Sequence, residues 1–294
     1  QQMPSTLHRA LAFVQSSFLI TSVSSKSDVK SLLIPITAFA FSASPAPSAS
    51  RLIHAGCWTL LHLLQCGLSK QLISGRENLY NRRHCALPSG RTSFRRAILL
   101  RWALVPLCWM LSLHYSTEIF LASLFLAASN AIYSECSAYA SHWLVRNLVH
   151  AAGLASFEVG VTLIAGDRRT LDHVAALSIS LSTIIFATTV QAQDFKDRHS
   201  DRALGRHTIP TALPLIARYT VIVPLLIWSG DLIFVWRLDS ITACAFLCLA
   251  AFVGLRFVFL DSASADEVSY HWYNVWLSAA HLLPGYFRHH GYTL

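Results

Sequence analysis

The amino-acid sequence predicts an all-α protein, a polytopic membrane bundle of about nine transmembrane helices. Of the 294 residues, 54% are hydrophobic and 13% are charged, and the mean hydropathy is +0.46. The charged fraction is about half that of a typical soluble domain, which argues against a water-soluble globule. The apolar residues form runs long enough for helices, and these runs lack the two-residue alternation of a membrane β-barrel.

The apolar runs divide the chain into two parts. Residues 1–30 are predicted to form an interfacial N-terminal arm, because their one apolar stretch is too short to span a bilayer. Residues 31–294 are predicted to form a single membrane domain. Its apolar segments cover, in chain order, residues 31–43, 52–68, 98–113, 119–132, 148–165, 174–190, 213–228, 241–260 and 270–287.

The distribution of Lys and Arg predicts how these segments are oriented. Most of these cations lie in the loops after the second, fourth and sixth segments, which must share one side of the membrane. Loops rich in Lys and Arg face the cytosol, so we expect this side to be cytosolic, in a multi-pass protein of the endoplasmic reticulum. One loop on the same side, DSASADEVS at 261–269, is acidic, but acidic residues have little weight in this rule.

Three other classes of protein fit the sequence less well. The net charge of +8 does not indicate nucleic-acid binding, because the basic residues occupy short loops rather than one soluble face. The seven cysteines include no CxxC pair and mostly lie in apolar runs, which favours buried side chains over a disulfide framework or a zinc site. A transporter would be expected to have unwound helices in mid-membrane, whereas the charged motifs here cluster at one surface.

The longest strongly charged run, QDFKDRHSDRALGRHTIP at 193–210, directly follows the sixth apolar segment. If the preceding helix continues, Asp194, Asp197 and Asp201 fall at i, i+3 and i+7 on one helical face. Three carboxylates on one face repel each other unless a cation neutralises them. Mg²⁺ suits this role, because it binds a few carboxylate oxygens together with substrate phosphates.

Three cations are interleaved with these acids: Lys196, Arg202 and Arg206. Cations beside metal-binding carboxylates suit a phosphorylated ligand. The alternative is a solvated loop of mixed charge at the membrane surface. The position of the run at the end of an apolar helix favours the metal and phosphate site.

A second polar loop, SKQLISGRENLYNRRHCALPSGRTS at 69–93, follows the second apolar segment. It places Glu77 and Asn81 at i and i+4, and a Pro-Ser-Gly-Arg turn that ends at Arg91 precedes the next helix. The loop is interpreted as a second phosphate and metal site, or as a basic loop that only sets the topology. Both polar loops follow even-numbered segments, so they are expected to face each other across one cytosolic mouth.

A third polar set lies near the fourth and fifth segments. Glu135, His142 and Arg146 share roughly one helical face, and they are interpreted either as residues at the cavity mouth or as an interfacial polar belt. Glu158 lies about ten residues inside an apolar segment. A carboxylate at that depth is costly unless it is paired or faces a cavity, so we expect Glu158 in the polar interior.

The two polar loops resemble the motifs of the UbiA superfamily of membrane prenyltransferases and terpene cyclases, particularly its fungal branch. The second motif of that branch, close to QDFxDxxGDxxxGRxTxP, is matched almost throughout, with Ser200 in place of Gly. The matching residues are Gln193, Asp194, Phe195, Asp197, Asp201, Gly205, Arg206, Thr208 and Pro210. Further similar stretches, SDVKSLLIP at 27–35 and the SHWLVRN to FEVGVTLIAG region at 141–166, extend the resemblance over nearly the whole chain.

The first motif of the branch is matched less completely. The chain keeps Gln71, Glu77, Asn81, Pro88, Ser89, Gly90 and Arg91, and departs from the motif at Lys70, Asn78, Arg82, Arg83, Cys85 and Ala86. Asn78 stands where the family has a carboxylate, and a neutral amide is a poorer ligand for Mg²⁺. The second motif is therefore expected to carry most of the metal binding.

The resemblance implies a bundle around a central cavity in which Mg²⁺ assists the ionisation of an isoprenyl diphosphate, such as farnesyl diphosphate. Carried over by position, the metal ligands and catalytic carboxylates are Asp194, Asp197, Asp201 and Glu77, with Asn78 as a further metal ligand. The residues expected to contact the diphosphate are Lys196, Arg202, Arg206, Arg146 and Arg91.

Within the fungal branch the chain is expected to be a terpene cyclase. The alternatives are prenyl transfer to an aromatic or polyketide acceptor, or a catalytically decayed member that binds a lipid or a partner. The expected partners are the isoprenyl diphosphate and the lipid bilayer. We expect neither nucleic acid nor a required protein partner.

Overall fold

The computed structural model describes residues 32–73, 94–135, 142–167, 169–203 and 205–291, and the predicted arm 1–30 lies outside them. Within these ranges the chain is helical, and β structure is limited to one isolated bridge between His142 and His207. The helices are α1 Ile34–Ala43, α2 Ala49–Ile73, α3 Phe94–Tyr115, α4 Thr117–Glu135, α5 Trp143–Ala165, α6 His173–Thr189, α7 Arg198–Ala203, α8 Ile209–Ala212, α9 Tyr219–Val235, α10 Ser240–Phe259 and α11 Ala263–His289.

Each of the nine predicted apolar segments overlaps one of the longer helices, which confirms the all-α membrane fold. In the described part of the chain, α3, α5, α10 and the helical stretch His173–Asp194 are long and apolar enough to cross a bilayer. Shorter apolar helices form at Ile34–Ala43, Thr117–Tyr133 and Tyr219–Val235. The number of nine spans stays a prediction.

Close packing between α2 and α5 depends on one glycine. Trp58 of α2 is fully buried, and its Nε1 donates a hydrogen bond to Ser112 Oγ of α3 at 2.9 Å. The indole lies directly over Gly160 of α5, where an added Cβ would come 2.9 Å from Cζ2 and Cζ3 of Trp58. Only glycine therefore lets the buried indole occupy this position.

Hydrogen bonds between polar groups connect α1, α6 and α11 at the N-terminus of α6. Asp172 caps the N-terminus of α6 by accepting a hydrogen bond from Ala175 N at 2.8 Å. Arg288 near the end of α11 donates to Asp172 Oδ1 and to the Ala43 carbonyl of α1, each at 2.7 Å. Burial tends to raise the pKa of Asp172, but the hydrogen bonds from Arg288 and Ala175 outweigh it and lower this pKa.

The predicted interior position of Glu158 is confirmed. Glu158 is fully buried on α5, and Ser182 Oγ of α6 donates to its Oε1 at 2.5 Å. Ser182 Oγ also lies 3.0 Å from Nε2 of His281 on α11, whose Nδ1 donates to the Pro35 carbonyl at 3.2 Å. One buried polar network thus connects α1, α5, α6 and α11.

Candidate active site

The expectation that α6 continues through the acidic motif is wrong. The α-helix ends at Thr189 and is followed by a 3₁₀-helix, Val190–Asp194, a turn, and then α7. Gln191 lies in this 3₁₀-helix and helps to stabilise it, because its Nε2 donates to the Thr188 carbonyl at 2.7 Å and to the Thr220 carbonyl at 2.8 Å. Since the α-helix ends before Asp194, the three aspartates do not share one helical face.

The glycine of the motif terminates α7. Gly205 has a φ of +68°, in the left-handed region that favours glycine. Its N–H donates to the Arg202 carbonyl at 3.2 Å, and Arg206 N donates to the Asp201 carbonyl at 2.8 Å. This pair of bonds is a Schellman motif. It reverses the chain so that the Arg206 guanidinium returns to Asp201, with Nη1 3.5 Å from Oδ1.

The end of the motif starts the next helix. Thr208 is the N-cap of α8, and its backbone N–H donates to Oγ1 of Thr211 at 2.9 Å. Pro210 occupies the first turn, where its lack of an N–H has no cost. Gly205, Thr208 and Pro210 therefore shape the loop, whereas the acidic and basic residues of the motif supply its charge.

Arg146 and Asp194 form the central ion pair of the site. Nη1 and Nη2 of Arg146 lie 2.9 and 2.5 Å from the two carboxylate oxygens of Asp194, a bidentate arrangement. The next residue on α5, Asn147, donates to Gln191 Oε1 at 3.2 Å. The bridge between His142 and His207 holds the start of α5 beside the segment after Gly205. The side chains of α5 are thus fixed against the acidic motif.

Asp201 is buried behind this pair. One oxygen, Oδ1, faces Arg206, and the other, Oδ2, has no hydrogen-bond partner among the residues that the structure describes. Burial raises the pKa of Asp201 to about 6, with Arg146 opposing this shift and Asp194 adding to it. A buried carboxylate oxygen without a partner is costly, so the site is suited to a bound cation.

A cavity of about 200 Å³ opens beside the motif. Its charged end is lined by Arg146, Asp194, Lys196 and Asp197. The lining continues along α4 and α5 through a polar band formed by Ser129, Asn130, Tyr133 and His150. The apolar part of the lining comprises Leu32, Leu63, Leu126, Leu154, Phe157 and Phe186. The cavity therefore joins a charged wall to an apolar interior.

The predicted site residues differ in their relation to this cavity. Asp194, Asp197, Lys196 and Arg146 line it together, and Asp201 with Arg206 lies directly behind. Arg202 is exposed and does not line the cavity. Glu77, Asn78 and Arg91 lie outside the described residues. Within the described ranges, no three His, Cys, Asp or Glu side chains are grouped as a metal site, and Asp194 is paired with Arg146.

Sequence reasoning did not select two aromatic residues of the site. Lys196 Nζ lies 4.9 Å from the ring centroid of Tyr270 on α11, which also lines the cavity. Tyr133 of α4 packs on His150 of α5, with ring centroids 4.4 Å apart. A signal for His150 is its spacing from Arg146, since residues i and i+4 of a helix share a face. No local signal identifies Tyr270, which reaches the motif from a distant helix.

An all-helical membrane bundle with a cavity lined by carboxylates and cations agrees with what the resemblance to the UbiA superfamily implies. Residues 32–277 match the sequence model of the UbiA prenyltransferase family. The chain therefore belongs to the UbiA prenyltransferase family.

A fungal relative is similar along almost its whole length. The chain is 30% identical over 275 residues to the fumagillin beta-trans-bergamotene synthase of Aspergillus fumigatus, covering 93% of each chain.

Solved structures share the fold. A digeranylgeranylglyceryl phosphate synthase has a TM-score of 0.67 and 12% identity, over 93% of this chain and 98% of that one. A UbiA homologue from Archaeoglobus fulgidus bound to GPP and Mg²⁺ has a TM-score of 0.63 and 14% identity, over 90% of this chain and 99% of that one. At these identities the likeness establishes the fold alone.

Proposed function

We propose that this protein is a Mg²⁺-dependent terpene cyclase that ionises an isoprenyl diphosphate such as farnesyl diphosphate. The observation that carries the proposal is the cavity in which Asp194, Asp197, Arg146 and Lys196 adjoin an apolar interior. A prenyl diphosphate has the same division into a charged head and an apolar tail. The similarity to a bergamotene synthase supports the cyclase, and the GPP and Mg²⁺ complex of the Archaeoglobus fulgidus homologue supports the ligands.

The residues present offer the carboxylate oxygens that Mg²⁺ prefers, although in the described residues the three carboxylates are not grouped as a metal site. Asp201 has a buried oxygen without a partner in the described structure, and Asp194 and Asp197 line the adjoining cavity. These three carboxylates would hold the metal, and Glu77 and Asn78 are proposed as further ligands on the basis of the first motif. When bound, Mg²⁺ neutralises the charge that develops on the departing diphosphate.

The chain's own cations and apolar residues would supply the rest of the chemistry. Lys196 and Arg146 lie at the charged end, where they would bind the diphosphate oxygens and stabilise the leaving group. Arg206, Arg202 and Arg91 are proposed as additional contacts of the diphosphate. Phe157 and Phe186 belong to the apolar lining, which excludes water and presents aromatic faces to a carbocation.

Prenyl transfer to an acceptor is the second candidate. It is favoured by the polar band of Ser129, Asn130, Tyr133 and His150, which offers hydrogen-bonding groups to an aromatic or polyketide hydroxyl. We also propose that the protein lies in the endoplasmic reticulum membrane with the acidic motif on the cytosolic side, as the distribution of Lys and Arg predicts.

The test uses microsomes that contain the full chain. Farnesyl or geranylgeranyl diphosphate is supplied with and without Mg²⁺ and with and without an aromatic acceptor, and the extracted products are identified. A hydrocarbon formed without an acceptor supports the cyclase, whereas product formed only with an acceptor supports the transferase. Asp194→Ala and Asp197→Ala are expected to abolish diphosphate release. Glu267→Ala, which removes an exposed carboxylate of α11, is the matched control and is expected to leave the rate unchanged.

Absence of diphosphate release from the wild-type chain under every condition would contradict the proposal that this protein is an enzyme. That outcome would favour a catalytically decayed member that binds a lipid or a partner.

A further inference from the structure

The acidic stretch at 261–269, which was predicted to be a loop, mostly forms the start of α11, and its Asp261 lies against the acidic motif. Arg198 Nη1 of α7 lies 2.5 Å from Asp261 Oδ1, and Arg218 Nη2 lies 2.8 Å from the same oxygen. The hydrogen bond from Arg198 lowers the pKa of Asp261, and the charge of Arg218 adds to the effect. Asp261 therefore supplies the negative charge that balances Arg198 and Arg218, two arginines near the motif.

We infer that Arg218 and Asp266 form a positioning pair that holds the acidic motif in place through the ring of Phe195. The inference rests on the proposed function, because it assigns a role to residues that do not line the cavity. Arg218 precedes α9 and Asp266 lies in the first turn of α11, 48 residues later in the chain.

The first support is the geometry of the pair. Asp266 is fully buried, and its two carboxylate oxygens accept hydrogen bonds from Nη1 and Nη2 of Arg218 at 3.0 and 3.1 Å. The guanidinium also donates to the carbonyls of Phe257 and Leu260 at the end of α10. A buried charge is tolerated only when it is paired and hydrogen-bonded, and here both conditions are met. The guanidinium plane is thus fixed by three segments of the chain.

The second support is the contact that this fixed plane makes. Cζ of Arg218 lies 5.1 Å from the ring centroid of Phe195, which is 2% exposed and also packs on Phe257 at 5.5 Å between centroids. Phe195 stands between Asp194 and Lys196, both of which line the cavity. A displacement of the Phe195 ring would therefore move two functional side chains at once.

The third support is the weakness of the motif's own backbone bonds. In the turn after the 3₁₀-helix, Asp197 N donates to the Asp194 carbonyl at 3.2 Å, and Arg198 N donates to the Phe195 carbonyl at 3.4 Å. These bonds are long, and a 3₁₀-helix followed by a turn is held less firmly than an α-helix. The position of the motif consequently depends on the side chains that anchor it, of which Phe195 is the largest that is buried.

The test measures two quantities on the purified full chain in detergent. Mn²⁺ affinity is measured by electron paramagnetic resonance, and stability is measured as the thermal midpoint of unfolding. Phe195→Leu keeps an apolar side chain but removes the aromatic face. Arg218→Lys keeps the charge but removes the planar guanidinium that binds both oxygens of Asp266. We expect each to weaken Mn²⁺ binding roughly tenfold or more, the usual effect of losing a residue that orients metal ligands. Both substitutions loosen buried contacts, so each is also expected to lower the thermal midpoint.

The matched control is Arg288→Gln, which breaks a similar bond between an arginine and an aspartate, to Asp172. It is expected to lower the thermal midpoint and to leave Mn²⁺ affinity unchanged. Wild-type Mn²⁺ affinity in folded Phe195→Leu, or an equal loss of affinity in Arg288→Gln, would overturn the inference. A wild-type chain that binds no Mn²⁺ and releases no diphosphate would instead contradict the proposed function, so the two failures are distinguishable.

Discussion

Arg146 of α5 binds both carboxylate oxygens of Asp194, at 2.9 and 2.5 Å, so the first acid of the motif is already paired with a cation of the same cavity. This pair keeps a buried carboxylate compensated within the protein alone. It also places a guanidinium beside the carboxylates that are proposed to hold the metal. The arginine is therefore expected to interact with both the metal site and the diphosphate.

Arg146→Gln is predicted to separate these two roles. Loss of the guanidinium removes a charge-assisted contact to the diphosphate, worth about 1.5–3 kcal/mol, so kcat/KM should fall roughly 10-fold to 100-fold. Asp194 loses its internal partner at the same time, so Mn²⁺ affinity should stay equal or increase. The two quantities are measured by diphosphate release and by electron paramagnetic resonance of Mn²⁺. A parallel loss of both would contradict this assignment, and Arg237→Gln is the comparison because Arg237 is exposed and does not line the cavity.

Gly160→Ala is predicted to destabilise the bundle. The added methyl group would overlap the buried indole of Trp58, and the bond of Nε1 to Ser112 opposes movement of that ring. Overpacking of this kind costs about 1–3 kcal/mol and should lower the thermal midpoint. Gly230→Ala is the control, because open space surrounds Gly230 in the middle of α9. That substitution should leave stability equal or raise it by up to about 1 kcal/mol, since alanine favours helix.

The pair of Asp172 and Arg288 predicts a pH dependence of stability. The pKa of Asp172 is lowered in the folded state, so the folded protein holds the carboxylate more firmly in its charged form. The stabilising contribution is complete above the ordinary pKa of an aspartate, about 3.9, and is lost as pH falls through the lowered value. Thermal midpoints of the wild type and Asp172→Asn should therefore differ near neutral pH and converge at acidic pH. A difference that does not vary with pH would refute the linkage.

The network of Glu158, Ser182 and His281 predicts a graded loss of stability. Ser182 has one hydroxyl proton and two hydrogen-bonding neighbours, so a second proton must reside on Glu158 or His281 and the network is neutral overall. Ser182→Ala leaves both neighbours without the hydroxyl, at a cost of about 1–3 kcal/mol. Ser182→Thr keeps the hydroxyl and should cost less, and Glu158→Gln should cost less than Glu158→Leu. Thermal unfolding in detergent measures this order, and equal midpoints for Ser182→Ala and Ser182→Thr would contradict it.

Much of the fold was predictable from the sequence because its main signal is local. Apolar runs of sufficient length locate helices, and the observed helices fall within a few residues of most predicted segments. Two segments differ more: the ninth was predicted to begin at residue 270, whereas α11 begins at Ala263, and the seventh was predicted to begin at residue 213, whereas α9 begins at Tyr219. The chain first forms α8, which Thr208 caps, and then turns before the longer helix starts.

The site was predictable only in part. The charged residues of the motif were identified from their spacing and from the family resemblance, but their conformation was not, because it is stabilised in part by Gln191 bonding the Thr220 carbonyl. Contacts such as Lys196 with Tyr270 join residues far apart in the chain. Such pairs leave no periodic signal, so a single sequence does not reveal them.

The Schellman turn at Gly205 divides the second motif into two halves with separate requirements. The half from Gly205 to Pro210 determines a reversal of the chain. This requirement is purely conformational, so a protein of any function that needs the same turn can have these residues. The half that contains Asp194 and Asp197 specifies charge. A homologue that keeps only the glycine, threonine and proline would be expected to form this turn but would lack the carboxylates that are proposed to hold the metal. If the proposed function is correct, an active member of the family is recognised by its aspartates and not by the glycine, threonine and proline that follow them.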